Sequence, residues 1–231
     1  ENGIKMGKRF PEFVVNPSDI VRDYGADTLR LYEMFMGPLE VSKPWSSDGV
    51  KGAKKFINRV WNFFTEAENI TEEDDGKLTK VYNQTVKKVT ADFETLGFNT
   101  AIAQMMVFVN EVYKVGKCPR EYAEGFIKMI SCIIPHVGEE IWQVLGHDNT
   151  IAYEPWPTYS EDKCKDAEVT IAVQVNGKMR GTVMMDADLE NDVVIANVLA
   201  NEKIAAFLAK QGGEIRKTIV VKNKLVNLIV K

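Results

Sequence analysis

The chain has 231 residues and a formal net charge of −4, and 45% of its residues are hydrophobic, which suffices for one large domain or two modest ones. No apolar run approaches the ~20 residues of a membrane span and no signal-peptide pattern is present, so a cytoplasmic protein without a membrane partner is expected. The mild negative charge excludes a surface coated throughout in nucleic acid, but it permits a local basic patch.

The cysteines indicate a reduced environment and no metal site. Cys118, Cys132 and Cys164 are odd in number, lie far apart and have no histidine at a zinc-ligand spacing. The first residues include no initiator Met, so we expect the chain to be a piece of something longer.

A basic loop with one glycine opens the chain. Residues 5–9 read Lys-Met-Gly-Lys-Arg, and Gly7 lets the backbone approach a ligand without a Cβ in the way. Such a loop can clamp a polyphosphate, or it can be a solvated turn, and the segment alone leaves both interpretations open. Asn16-Pro17 ends the extended part, and Ser18 and Asp19 offer side-chain oxygens to the first turn of a helix.

Several segments up to residue 146 have the apolar spacing of helices. Glycine and proline residues end or separate them. The predicted helices are 20–24, 26–36, 50–67, 77–96, 98–115, one that Pro119 opens and one that ends at Gly146. Helices joined by such short loops indicate a helical bundle.

The segment 50–67 is the clearest amphipathic helix. Its predicted apolar side consists of Val50, Ala53, Ile57, Val60, Trp61 and Phe64. Its opposite side carries four cations with no acidic residue among them: Lys51, Lys54, Lys55 and Arg59. Such a face can follow a phosphate backbone or can be a solvated surface, and the spacing supports both interpretations equally.

His136 and Glu139-Glu140 lie together in the last helix of the bundle, at a spacing that also occurs in metal sites. No second histidine is close, because His147 lies beyond the helix end. We therefore expect no metal, and a glutamate near a helix start is ordinary dipole chemistry.

The helical period stops at residues 153–166, where we place a linker, and from residue 168 the period changes to two. Asn176-Gly177 marks a hairpin, for which a three-residue loop with Gly177 left-handed is predicted. That register would pair Ala172 with Arg180 and would place Lys178 and Arg180 on the open face of a sheet.

Helices at 190–210 and strands at 216–221 and 225–230 complete a small α+β domain of ββαββ order. Its cations at turns and strand ends are compatible with an RNA-binding surface and equally with a solvated edge: Lys178, Arg180, Arg216, Lys217, Lys222 and Lys224. The expected fold is therefore multidomain, a mainly α-helical bundle followed by a small α+β domain.

Three stretches, taken in order, resemble the C-terminal part of bacterial leucyl-tRNA synthetases, which are class I enzymes. Residues 5–9, with Val-Val-Asn-Pro at 14–17, look like the Lys-Met-Ser-Lys-Ser signature of the class and its continuation. Residues 24–45 look like the segment that follows. Residues 173–181 (Val-Gln-Val-Asn-Gly-Lys-Met-Arg-Gly) resemble the C-terminal tRNA-contacting domain of the leucyl enzymes and single out that family.

The middle helices are similar to the anticodon-binding bundle shared by leucyl, isoleucyl, valyl and methionyl enzymes. The domains that the resemblance implies are 1–45, the signature loop and connecting helices; 46–152, the bundle; 153–166, a linker; and 167–231, the tRNA-contacting domain.

The resemblance implies a cytoplasmic, monomeric enzyme that activates leucine with ATP, in a Mg²⁺-dependent reaction, and transfers it to tRNA-Leu. Lys8 would contact the ATP phosphates and stabilise the charge on the leaving pyrophosphate, and Lys5 would order the loop. The bundle and the last domain would bind the tRNA, the latter at the elbow, through Lys51, Lys54, Lys55, Arg59, Asn176, Lys178 and Arg180.

The chain departs from the family pattern in two ways. Gly7 and Arg9 replace the serines of the signature, and the connection to Val14 is one residue longer. The Rossmann half with its His-Ile-Gly-His signature is missing. The fragment is therefore expected to bind no cofactor and not to aminoacylate alone. ATP and leucine would be bound through the missing domain. The alternatives are a related class I synthetase, a free-standing RNA-binding module and a protein–protein scaffold.

Overall fold

The computed structural model describes residues 5–165, 168–212 and 214–231 and divides into two compact units, Glu1–Cys164 and Lys165–Lys231. The first unit is a helical bundle and the second a small α+β domain, which confirms the predicted fold class. No helix in the described part of the chain is both long and apolar enough to cross a membrane.

Helices are the main elements of the first unit, and they follow the predicted order. They are α1 (Pro17–Tyr24), α2 (Ala26–Phe35), α3 (Ser47–Phe64), α4 (Thr79–Glu94), α5 (Phe98–Val115), α6 (Arg120–Ser131) and α7 (Pro135–Val144). Two-residue strands β1 (Ile70–Thr71) and β2 (Cys118–Pro119), which the sequence did not predict, pair in parallel.

Side-chain caps fix the starts of two of these helices. The Ser46 hydroxyl accepts from the Gly49 amide at 3.1 Å and caps α3, which therefore begins three residues before the predicted start at residue 50. At α1, the expected caps Ser18 and Asp19 are wrong, because Asn16 is the cap and accepts from the Ser18 amide at 3.0 Å. Pro17, directly after the cap, suits the first helical position because it has no amide hydrogen to lose.

One apolar core joins α2 to the bundle. Leu31 and Tyr32 of α2 are buried in the same cluster as the apolar faces of α3 to α7, so the first unit takes in both segments that the sequence separated at residue 45. In α3, the prediction that Trp61 faces inward is wrong: it is 38% exposed, and Phe56 and Phe63 are buried instead.

Helix α2 is bound to the bundle by two opposite charges, one turn apart. The buried carboxylate of Asp27 accepts from the Val137 amide, in the first turn of α7, and from His136 Nδ1, each at 2.8 Å. The Arg30 guanidinium donates to the carbonyls of Cys132 and Ile133, just beyond α6, at 3.0 and 2.9 Å. Each charge complements the helix dipole that it meets and satisfies backbone groups left open at a helix end.

Residues 153–164, the greater part of the predicted linker, pack on α4 within the first unit. Trp156 Nε1 donates to the Thr90 hydroxyl and the Ser160 amide donates to Asn83 Oδ1, both at 2.8 Å. Gln84 Nε2 donates to the Cys164 carbonyl at 2.8 Å. This part of the segment is therefore fixed to the bundle, while Asp166 lies outside the described residues.

The second unit is a four-stranded sheet with two helices on one face. Its elements are β3 (Glu168–Val175), β4 (Lys178–Asp186), α8 (Asn191–Ala200), α9 (Glu202–Gln211), β5 (Ile215–Val221) and β6 (Leu225–Val230). The strand order is β4-β3-β6-β5, and β3 and β6 are parallel. Asn201, between the helices, accepts from the Lys203 and Ile204 amides and begins α9.

The hairpin of β3 and β4 differs from the predicted register. Asn176 and Gly177 form a two-residue turn with φ of 49° and 75°, so that Val175 pairs with Lys178. This turn type matches the twist of the strands. A β-bulge at Arg180 then shifts the register, and Ala172 pairs with Thr182 rather than with Arg180. The bulge keeps the apolar side chains on one face. The prediction from the sequence had reached the same result with a three-residue loop in place of the two-residue turn.

Gly125→Ala is expected to lower the free energy of unfolding by roughly 1–3 kcal/mol. A Cβ on Gly125 would lie 1.9 Å from the hydroxyl oxygen of Tyr82, whose buried ring stacks on Tyr122 with centroids 4.2 Å apart. The matched control is Gly52→Ala on the exposed face of α3, where a Cβ meets nothing within 4 Å and a gain of ~0.4–1 kcal/mol is expected. Urea unfolding measures both, and equal effects would contradict the packing.

Asp27→Ala is expected to cost about 2 kcal/mol of stability, because it leaves the Val137 amide without its buried acceptor. Asp27→Asn keeps an acceptor oxygen and should lose less. Asp19→Ala serves as control, since its ion pair with Arg22 is exposed and worth under ~1 kcal/mol. Urea unfolding at neutral pH compares the three, and a cost for Asp27→Ala no larger than for Asp19→Ala would refute the role of Asp27.

Candidate nucleic-acid interface

The cationic face of α3 consists of Lys51, Lys54, Lys55 and Arg59. Lys51 and Lys55 are exposed, and Lys54 and Arg59 are half-buried. The sequence suggested that no acidic residue interrupts this face, but Asp48 in the first helical turn lies 3.0 Å from Lys51 Nζ. An exposed pair of this kind exchanges readily with solvent and with other anions. The face therefore stays predominantly cationic.

Tyr113 of α5 contacts Arg59 at the C-terminal end of this face, a contact that the sequence did not reveal. The Arg59 guanidinium lies 4.7 Å from the centroid of the Tyr113 ring, and the Tyr113 hydroxyl donates to the Arg59 carbonyl at 2.9 Å. The Tyr113 side chain is 41% exposed. Because the periodicity of α5 indicates only its inward stripe, no sequence signal connected this tyrosine with α3. It gives the cationic face an aromatic surface next to a fixed guanidinium.

The opening loop is a short turn closed by its own backbone. The Phe10 amide donates to the Gly7 carbonyl at 3.0 Å, and Lys5 and Lys8 are exposed. The Arg9 guanidinium lies 5.5 Å from the Phe10 ring centroid. A single 3₁₀ turn, Pro11–Phe13, connects the loop toward α1. Both lysines can therefore reach an anionic ligand, whereas Arg9 lies against its neighbour.

The predicted residues of the second unit take on different tasks. The Asn176 amide group is engaged within the fold, because it donates to the Val230 carbonyl at 3.0 Å and accepts from the Val230 amide at 2.9 Å. Arg180 lies on the helix-covered side, its guanidinium 4.2 Å from the Phe207 ring centroid in α9. Its expected place on the open face of the sheet is therefore wrong, because the bulge turns it toward α9. Lys178 is exposed beside the turn, but it pairs with the buried Val175, so its expected place on the open face is wrong as well.

The predicted site residues thus lie in three separate places. The α3 face and the opening loop belong to the first unit, and the hairpin residues belong to the second. Among the described residues no group of three or more potential ligands forms a metal site, and His136 binds Asp27 instead.

An acidic turn before α4 has its own internal partners. Burial raises the pKa of the Asp74 carboxyl, but hydrogen bonds from the Tyr122 hydroxyl, the Gly76 amide and the Thr79 hydroxyl outweigh it and hold this pKa below its ordinary value. Burial and the bond to Asp74 raise the pKa of Tyr122 to about 12. This carboxylate is therefore a structural acceptor in the turn, as an acidic group near a helix start commonly is.

Two comparisons with known proteins bear on the site. The family model described as the anticodon-binding domain of tRNA ligase matches residues 75–195, from the turn before α4 into α8. The structure resembles a LeuRS from Agrobacterium radiobacter K84 (agnB2), solved as a ternary complex with tRNA and LeuAMS, at 26% sequence identity and a TM-score of 0.74.

This structural match covers 99% of the present chain and 31% of the longer one, so the chain spans about a third of that relative. It supports the resemblance to the C-terminal part of leucyl-tRNA synthetases, because the likeness extends through both units. The family match and the bundle architecture agree, since α4 to α7 lie wholly within residues 75–195. The chain therefore belongs to the family of anticodon-binding domains of tRNA ligases.

Proposed function

We propose that this chain is the tRNA-binding C-terminal part of a leucine-tRNA ligase, the enzyme that joins leucine to tRNA-Leu at the expense of ATP. The observation that carries the proposal is the match to a LeuRS over nearly the whole chain, bundle and small domain alike. The hairpin sequence at 173–181, which resembles the leucyl enzymes in particular, points to the same amino acid.

The cationic face of α3 binds the tRNA backbone in this proposal. Its ammonium and guanidinium groups neutralise phosphates without reading bases, which suits the inner side of a folded RNA. Lys178 and Arg180 contact the tRNA elbow from the second unit, where shape is recognised more than sequence. Asn176 supports them indirectly, since its amide group fixes the turn to β6.

The opening loop contacts ATP in the intact enzyme. Lys8 is the main cation toward the phosphates and stabilises the charge that develops as pyrophosphate leaves, while Lys5 orders the loop. ATP and leucine are bound through a catalytic domain outside these residues, so the fragment alone is inactive. We also propose that the intact enzyme is cytoplasmic and monomeric.

Replacing two lysines of α3 tests the RNA contact. Lys51→Ala/Lys55→Ala should weaken binding of a tRNA-Leu transcript and reduce the slope of log affinity against log salt by about 0.7–0.9 for each phosphate that is no longer neutralised. Lys77→Ala is the control, because Lys77 lies outside the cationic face of α3, in the turn before α4, where it pairs with Asp75. Filter binding across a salt series measures the slopes, and an unchanged slope in the double variant would exclude this face.

The choice of tRNA separates the proposal from its alternatives. Preference of the wild-type chain for tRNA-Leu supports the leucyl assignment, preference for tRNA-Val, tRNA-Ile or tRNA-Met points to a related class I enzyme, and equal affinity for all tRNAs indicates a free-standing RNA-binding module. Absence of binding at low salt would overturn the proposed function.

Lys8→Ala in the full-length enzyme is expected to slow leucine activation by ~100-fold or more, because it removes a cation from the site where charge develops. Leucine-dependent exchange of pyrophosphate into ATP measures this step. Affinity for tRNA-Leu should be unchanged and serves as the control for folding. Undiminished exchange would show that the variant signature does not work through Lys8.

A further inference from the structure

A cavity of about 280 Å³ lies where α2, α3 and α7 meet, beside the cationic face of α3. Its walls include Tyr24, Asp27, Lys54, Ile57, His136 and Val137. The volume lies just below the ~300–1,000 Å³ that is typical of ligand sites, so the cavity has room for a small part of a larger ligand that lies on the surface. Lys54 belongs both to this cavity and to the cationic face, so an RNA strand on that face reaches the cavity without leaving the protein surface.

The imidazole of His136 is held in one orientation at the cavity. A carboxylate can only accept a hydrogen bond, so the 2.8 Å contact requires that Nδ1 carries the proton and donates to Asp27. In the neutral ring, Nε2 is then an acceptor, and it lies on the opposite side of a ring that is 76% exposed. His136 therefore offers a fixed acceptor, which is what a ribose hydroxyl requires.

The charges around the cavity favour a phosphate near Lys54. The carboxylate of Asp27 is only 8% exposed, and both of its oxygens are engaged, Oδ1 by His136 and Oδ2 by the Val137 amide. The cavity also adjoins the first turns of α2 and α7, whose dipoles are positive at that end. The cation that lines the cavity is the half-buried Lys54, and the buried anion is already compensated.

We infer that this cavity is a subsite for one ribonucleotide of the tRNA that the chain is proposed to bind, and the inference rests on that proposed function. Lys54 pairs with the phosphate, and His136 Nε2 accepts a hydrogen bond from the ribose 2′-hydroxyl. Tyr24 and Ile57 provide apolar surface for the sugar or base. A 2′-hydroxyl contact at a fixed acceptor distinguishes RNA from DNA, which the lysines of α3 cannot do.

Imidazole resonances test the subsite directly in the wild-type chain. The sequence has only two histidines, and His147 serves as an internal control because it stacks on Trp142, with centroids 3.6 Å apart, and binds Glu124. Titration with tRNA-Leu should shift the Cε1–H resonance of His136 and leave that of His147 in place. Tight tRNA binding without a shift at His136 would overturn the subsite while leaving the proposed function intact.

Two variants separate the two contacts. Lys54→Ala should weaken tRNA binding and reduce the salt slope by about 0.7–0.9, whereas His136→Ala should weaken binding about three- to tenfold at every salt concentration with the slope unchanged. Circular dichroism confirms that the variants fold. A lower slope in His136→Ala would overturn the hydroxyl contact, and so would a His136 shift of equal size on adding inorganic phosphate alone.

Discussion

The bundle depends on two opposite charges that α2 delivers to one corner of the fold. Asp27 accepts from the amide of Val137 at the start of α7, and Arg30 donates to carbonyls just past the end of α6. The α6–α7 corner leaves backbone donors and acceptors without helical partners, and buried groups of this kind are costly unless they are satisfied. One short helix satisfies both sets, which fixes the segment after the opening loop onto the bundle.

This anchoring determines how the functional surfaces are arranged. With α2 fixed, α3 packs its aromatic and aliphatic side on the shared core and turns its lysines outward. The same corner forms a wall of the cavity beside those lysines and orients His136 toward it. Asp27 and Lys54 both line this cavity, but the Asp27 carboxylate is buried and both of its oxygens are engaged within the fold, whereas Lys54 is half-buried at the cavity wall.

In the hairpin of the second unit, the sequence predicted the strands and the turn but not the register. The alternation of β3 and the Asn-Gly turn were predictable from the sequence, but the prediction that the hairpin keeps its cations off the helix-covered face is wrong. Lys178 pairs with the buried Val175, and the Arg180 guanidinium meets the Phe207 ring of α9. The sequence suggested a longer loop, whereas the structure uses a tight turn and a bulge at Arg180. The bulge leaves Ile171 paired with Val183 on the apolar face, and Arg180 at the bulge meets the Phe207 ring of α9, a contact that no local pattern in the sequence indicates.

The sequence by itself determined the helices, the change to strands from residue 168 and the cationic face of α3, because all of these follow from local periodicity. Only the tertiary structure decided the contacts between residues distant in the chain. Asp27 meets His136, Tyr113 supports Arg59 and residues 153–164 pack on α4. Such pairs leave no periodic trace in the sequence, since their geometry is set by how the helices pack rather than by any one segment.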